Sequence, residues 1–309
     1  MIISISRRTD IPAFFSEWFY NRIEDGYFMV RNPMNIHQVS KVTVTPQNAE
    51  CLVFWTKNPS FSFIENLPKL DEKGFNYYFQ FTITSYAQDI EKSVSRKTEI
   101  IEKFQKLSNQ IGKEKVIWRY DPIILNKKYN FDYHIKYFDY IAEKLSAYTE
   151  KVIISFVDCY SKIKTRLQEN EITDLTQEQM RKLGIALKQI AEKHNLKIES
   201  CSETIDFDDI GIPHGHCIDG ELINRICQRN FIFKKDKTQR KECGCVTSVD
   251  IGSYNTCRHN CAYCYATWNG IIPNSIDNSS PLLGSVLSNE DKVTERKIPV
   301  LKEYNPELF

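Results

Sequence analysis

The sequence predicts an α/β fold, a parallel (β/α) barrel, TIM-like or partial, with residues 1–309 forming a single domain. Three observations predict it. Short apolar segments rich in Val, Ile, Phe and Tyr recur along most of the chain, as strands buried on both faces of a parallel sheet should. Helical patterns separate them, which is the alternation that βα units require. No G-x-G-x-x-G fingerprint follows any of these segments, which favours a barrel over a dinucleotide-binding open sheet.

The strand candidates, in order, are IISIS (2–6), CLVFWT (51–56), YYFQFTIT (77–84), KVIWRY (115–120), KVIISFVD (151–158), LKIESC (196–201) and VTSVDI (246–251). YFMVRNP (27–33) and KVTVT (41–45) read as a small inserted hairpin. Ile101, Phe104 and Leu107 mark a helical face after the third strand. Asn130 is placed to cap a helix with the stripe Ile135, Phe138, Ala142 and Leu145. Thr176 and Gln179 form a capping box ahead of Met180, Leu183, Leu187 and Ile190. The basic run KKDKTQRK (234–241) reads as a solvated linker, with a phosphate-binding patch as the alternative.

Lys plus Arg (41) nearly balances Asp plus Glu (40). Net charge therefore does not indicate nucleic acid as a partner, and only a local patch would provide for it. No apolar run is long enough for a signal peptide or a membrane span, so the expected location is the cytoplasm and no membrane partner is expected. Ten cysteines then need an explanation other than disulfides. Cys51 and Cys159 stand alone, and the other eight lie between Cys201 and Cys264, within or beside a cysteine-rich region over 200–270.

TCRHNCAYCYA places Cys257, Cys261 and Cys264 in a C-x-x-x-C-x-x-C array. Three thiolates on one tight loop can each bind one iron of a cubane cluster. Three ligands for four irons leave one metal position open, as a reactive site needs and a closed structural site lacks. A zinc site that includes His259 is the competing reading. Cys201, Cys217, Cys243 and Cys245 form a second set, read either as a closed auxiliary cluster or as incidental buried thiols. His214 and His216 are alternative ligands there, and Cys227, in ELINRICQ, reads as core.

With Tyr263 before the third cysteine, the motif becomes C-x-x-x-C-x-aromatic-C, which resembles the radical S-adenosylmethionine (radical SAM) enzymes. The resemblance implies a 4Fe-4S cluster on Cys257, Cys261 and Cys264, with S-adenosylmethionine chelated at the open iron. It implies reductive cleavage to methionine and a 5′-deoxyadenosyl radical, fed by an electron donor such as flavodoxin or ferredoxin. It also implies that Tyr263 lies near the adenine. In that family the motif follows the first barrel strand, whereas here it lies in the last sixth of the chain. The Gly-Gly-Glu segment that holds the methionine amine is absent downstream. The whole chain is similar to the family called domain of unknown function 1848, through SRRTDIPAF (6–14), FWTKNP (54–59), RYDPI (119–123) and the C-terminal cysteines. In that family the second cysteine set accompanies the C-terminal motif, which implies a second iron–sulfur cluster.

Charged and polar residues gather where apolar strands end, the side of a barrel that builds active sites. Arg7, Lys57 and Arg119 are the catalytic candidates. Ser6, Arg8, Asp10 and Glu203, with Tyr263, are the candidates for binding S-adenosylmethionine. Gln80, Asp121 and Asp158 lie at equivalent positions, and mutual pairing at the rim is the alternative role for several of these residues. Because Cys257 follows VTSVDI after only GSYNT, the sequence predicts a circularly permuted radical SAM barrel. In it the last strand pairs beside IISIS and the cluster loop follows that last strand.

Overall fold

A computed structural model describes residues 1–268, 277–297 and 301–304. The first strand, β1 (Ile2–Ile5), is buried along its whole length. Asp10 caps the short helix α1 (Ile11–Phe14), with Pro12 in the first turn, where its missing N–H costs nothing. Helix α2 (Ser16–Asp25) and the hairpin β2 (Tyr27–Asn32) and β3 (Asn35–Thr43) follow. Then come β4 (Cys51–Thr56), α3 (Phe61–Glu65), α4 (Pro68–Lys73), β5 (Tyr77–Thr82), α5 (Lys97–Ile111) and β6 (Val116–Ile123). The alternation continues through α6 (Phe131–Leu145), β7 (Lys151–Phe156), α7 (Lys164–Glu169), α8 (Gln177–Lys193) and β8 (Lys197–Ser200). The cysteine-rich remainder holds α9 (Gly220–Cys227) and the short strands β9 (Phe231–Ile232), β10 (Val249–Asp250), β11 (Lys292–Glu295) and β12 (Lys302–Glu303).

Seven strands form one parallel sheet in the order β10-β1-β4-β5-β6-β7-β8. From β1 onward the order follows the chain without reversal, so right-handed crossovers put the helices on one face. Alternate strand residues meet them there. Ile3, Phe54, Phe79, Trp118 and Ile154 pack with Phe19, Phe63, Phe104, Phe138 and Leu183. The other face is covered by the segment after β8, whose Cys217, Ile218, Leu222, Ile223 and Cys245 pack on Ile2, Val53, Tyr78, Ile117 and Ile153. Each of these large side chains contributes about 1.5–3 kcal/mol by burial. Among the described residues no ladder joins β10 to β8, and the outer edge of β8 is met only by an isolated bridge from Ser200 to His214, so the α/β fold has a parallel central sheet that no ladder closes.

The ladder expected between VTSVDI and IISIS is present and parallel, pairing Ile3 with Val249 and Ser4 with Asp250. It is short, limited to these two pairs, and Val246 at the start of the segment bridges Lys235. The Asn130 cap and the Thr176–Gln179 capping box both form. Three readings need correction. Ile135 is exposed, since His134 takes the inward position four residues before Phe138, and the buried stripe is His134, Phe138, Ile141, Ala142 and Leu145. The hairpin's second strand starts at Asn35, and β11 adds to it in parallel. The run 234–241 is more than a linker, because Arg240 reaches back to Asp158 at 2.7 Å. Among the described residues no helix is long and apolar enough to cross a membrane.

Candidate functional site

Past the carboxyl ends of the strands lies a cavity of about 370 Å³. Its walls include Arg7, Lys57 and Arg119, the cysteines of both sets, and Ser6, Arg8, Asp10 and Tyr263. Glu203 stands apart from them. Its carboxyl accepts the Phe156 N–H at 2.8 Å, and burial pushes its pKa up to about 8. All ten cysteines are free thiols.

The loop carrying Cys257, Cys261 and Cys264 is held at both ends. Asn255 N–H donates to Ala266 O (2.9 Å), and Trp268 N–H donates to the Asn255 side chain (2.8 Å). Its middle docks on the segment after β5, where Ala262 N–H donates to Ile90 O (2.8 Å) and Ser93 N–H to His259 O (3.1 Å). Burial, then the neighbouring Cys264 and Asp10, push the Cys257 thiol up to about 12. Burial and Glu91 raise the Cys261 thiol strongly, with Cys264 and Cys257 adding to the effect. The three sulfurs therefore feel one another across the cavity wall.

Asp10 is a hub. Its carboxylate accepts Ala13 N–H (3.0 Å), Thr56 Oγ1 (2.8 Å), Lys57 N–H (2.7 Å) and His259 Nε2 (2.7 Å). One side chain thus caps α1, fixes the end of β4 and anchors the cysteine loop. Asp250 performs a matching task at the β10–β1 seam, accepting Ser4 Oγ (2.9 Å), Ser6 Oγ (2.6 Å), Arg7 N–H (2.8 Å) and Gly252 N–H (3.0 Å). Gly252 is glycine because a Cβ there would lie 2.0 Å from Ser6 Oγ. Arg8 also donates to Gly252 O (3.3 Å) and lies over the Tyr254 ring. Arg7 donates to Ser248 Oγ (3.0 Å) and lies over Trp55.

Glu91 is a fully buried carboxylate beneath the loop. It bonds Lys57 Nζ (2.7 Å), Thr84 Oγ1 (2.6 Å), Lys97 and the Tyr263 hydroxyl. Burial would raise its pKa, but Lys57 and Lys97 override that and hold the carboxyl well below the usual range. Lys57 is thus an ion-pair partner rather than a free amine. Tyr263 points its hydroxyl at this carboxylate and its ring edge at Tyr86.

In the same cavity, Arg119 lies over Trp55, pairs with Asp121 and points Nη1 at Cys217 Sγ (2.8 Å). Cys201 and Cys217 sulfurs are 3.1 Å apart. Gln80 and Tyr78 both donate to the Cys217 carbonyl at 2.8 Å. Cys227 lies outside the site, half-buried, with its thiol on Glu50 O (3.3 Å). Among the described residues no three His, Cys, Asp or Glu side chains are gathered around one point as a preformed single-ion site.

The family model described as Domain of unknown function (DUF1848) matches residues 2–266. The chain belongs to the DUF1848 family. The match runs from β1 through the last cysteine, so it contains every cavity residue named above. No curated protein and no solved structure matches the chain. Two residues central to this DUF1848 site, Glu91 and Asp250, carried no signal in the sequence beyond being acidic. Glu91 lies in a loop, and Asp250 is one acid within an apolar run.

Proposed function

We propose that this DUF1848 chain is a radical SAM-type enzyme on a circularly permuted partial barrel, binding a 4Fe-4S cluster through Cys257, Cys261 and Cys264. The observation that carries the reading is the convergence of these thiols on the cavity lined by Arg7 and Arg119, at the carboxyl ends of parallel strands. The donor set fits the group: three thiols on one loop, electrostatically coupled, supply three ligands and no fourth. When bound, such a cluster supplies the electron that cleaves S-adenosylmethionine to a 5′-deoxyadenosyl radical.

The chain's own residues bind and position. Asp10 and Glu91 fix the loop from two sides, through His259 and Tyr263 respectively. Among the described residues the Arg7 guanidinium donates one hydrogen bond, to the neutral Ser248 hydroxyl, and it lines the cavity. It is assigned to the carboxylate of S-adenosylmethionine. Lys57 positions Glu91 rather than transferring protons. Buried cations near the thiols lower the cost of concentrating negative charge there.

Anaerobically purified protein should take up iron and sulfide and show, after dithionite reduction, an electron paramagnetic resonance signal that shifts on adding S-adenosylmethionine. It should release 5′-deoxyadenosine, and Cys261→Ala should abolish that release and the shift of the signal. Stoichiometric zinc without iron uptake would replace this reading with a zinc hydrolase. Iron without 5′-deoxyadenosine would replace it with an electron-transfer protein.

A further inference from the structure

We propose that Cys201, Cys217, Cys243 and Cys245 bind a second iron–sulfur cluster, in the same cavity as the first three cysteines. The four thiols come from three chain segments: the end of β8, the loop before α9 and the C-x-C pair before β10. They meet at one place. Cys201 Sγ lies 3.1 Å from Cys217 Sγ, and Cys217, Cys243 and Cys245 belong to one buried cluster that Cys201 packs against, all four lining the cavity.

The backbone that presents them is fixed by buried groups. Tyr78 and Gln80, reaching up from β5, both donate to Cys217 O at 2.8 Å. Ile218 N–H points at Cys245 Sγ (3.3 Å), and Asp236 N–H donates to Cys245 O (2.9 Å). Gly244 packs against the exposed His216 ring, which would have to turn aside for a Cβ there. Such effort is not needed for incidental thiols.

Charge completes the argument. Arg119 is 3% exposed and directs Nη1 at Cys217 Sγ (2.8 Å). Asp121 balances it only from the rim, where that carboxylate is 24% exposed. A guanidinium buried against neutral thiols is costly, but against a thiolate-bound cluster, which carries net negative charge, it is paired. Four cysteines give a closed coordination set, distinct in kind from the three-ligand loop.

The test removes the first site. The variant Cys257→Ser/Cys261→Ser/Cys264→Ser, purified anaerobically and reconstituted with iron and sulfide, should hold about four irons and four sulfides per chain. Adding Cys217→Ser and Cys245→Ser should abolish that content while circular dichroism and the thermal transition show a folded protein. Arg119→Gln in the triple variant should leave the iron count unchanged and lower the cluster's midpoint potential, because a buried positive charge near it is lost. A folded triple variant without iron overturns the proposal and leaves the first cluster standing. So does one that binds a single zinc ion, or one that loses two titratable thiols to a Cys201–Cys217 disulfide recoverable by reductant. Iron kept by the triple variant at the full wild-type level would instead refute the first site and support the second.

Discussion

His259 Nε2 lies 2.7 Å from Asp10 Oδ2, with both side chains buried, and this bond ties the cysteine loop to the turn after the first strand. It should show as coupling. In a double-mutant cycle with Asp10→Ala and His259→Ala, read by urea unfolding, we expect an interaction of about 1–2 kcal/mol. Additive losses would mean that the loop is held by its backbone contacts alone.

Glu91 stands between Lys57 and Lys97, and its neutralisation leaves two half-buried ammonium groups without the buried carboxylate that both pair with. Glu91→Gln should therefore cost about 3 kcal/mol of stability in chemical denaturation. Adding Lys97→Met should return part of that loss. A Glu91→Gln protein as stable as the parent would remove the network's structural role.

Much of this site was legible in the sequence, and the reason is instructive. Arg7 and Lys57 follow apolar strands and Arg119 lies within β6, so chain direction places them toward one end of a parallel sheet. Cys257, Cys261 and Cys264 carry their meaning in their spacing. Glu91 and Asp250 do not, because a lone acid in a loop or at a strand end reads the same whether it meets water or four donors of the fold. Ile135 misled for a related cause. Periodicity ranks isoleucine above histidine for the inward position, yet His134 has specific partners waiting inside.

Those partners give a pH dependence. His134 donates Nε2–H to Ile124 O (2.7 Å) and accepts the Tyr120 hydroxyl on Nδ1 (2.8 Å), an arrangement for the neutral ring. Burial pushes its pKa down to about 4, against about 6.5 when unfolded. Between those values the unfolded chain binds a proton that the folded chain does not. Stability should thus fall as pH drops from about 6.5 towards 4, by up to ~1.4 kcal/mol per unit, and be unaffected by this group above 6.5. Denaturation of His134→Gln across that range should show a shallower decline, and an unchanged slope would assign the effect elsewhere.

Close backbone approach at the β10–β1 seam supplies another test. In Gly252→Ala the new methyl would fall 2.0 Å from Ser6 Oγ and 2.5 Å from Ser6 Cβ. We expect a loss of about 2 kcal/mol or more by thermal unfolding. Ser6→Gly in the same chain should relieve most of the clash, though it also deletes a bond to Asp250. No rescue would place the strain in the backbone instead.

The seam also sets a clock. Ser4 and Asp250 are neighbours in the sheet yet stand 246 residues apart in the chain. At synthesis rates of about 5–20 residues per second, the outer edge of the first strand waits roughly 12–50 seconds for its partner to leave the ribosome. Throughout that interval it is an unpaired parallel edge, open to other chains. Every cysteine of the cavity lies at Cys201 or beyond, so all of them are made after β8 has been synthesised. A nascent chain therefore has six of the seven strands of its sheet before any cysteine of the cavity exists.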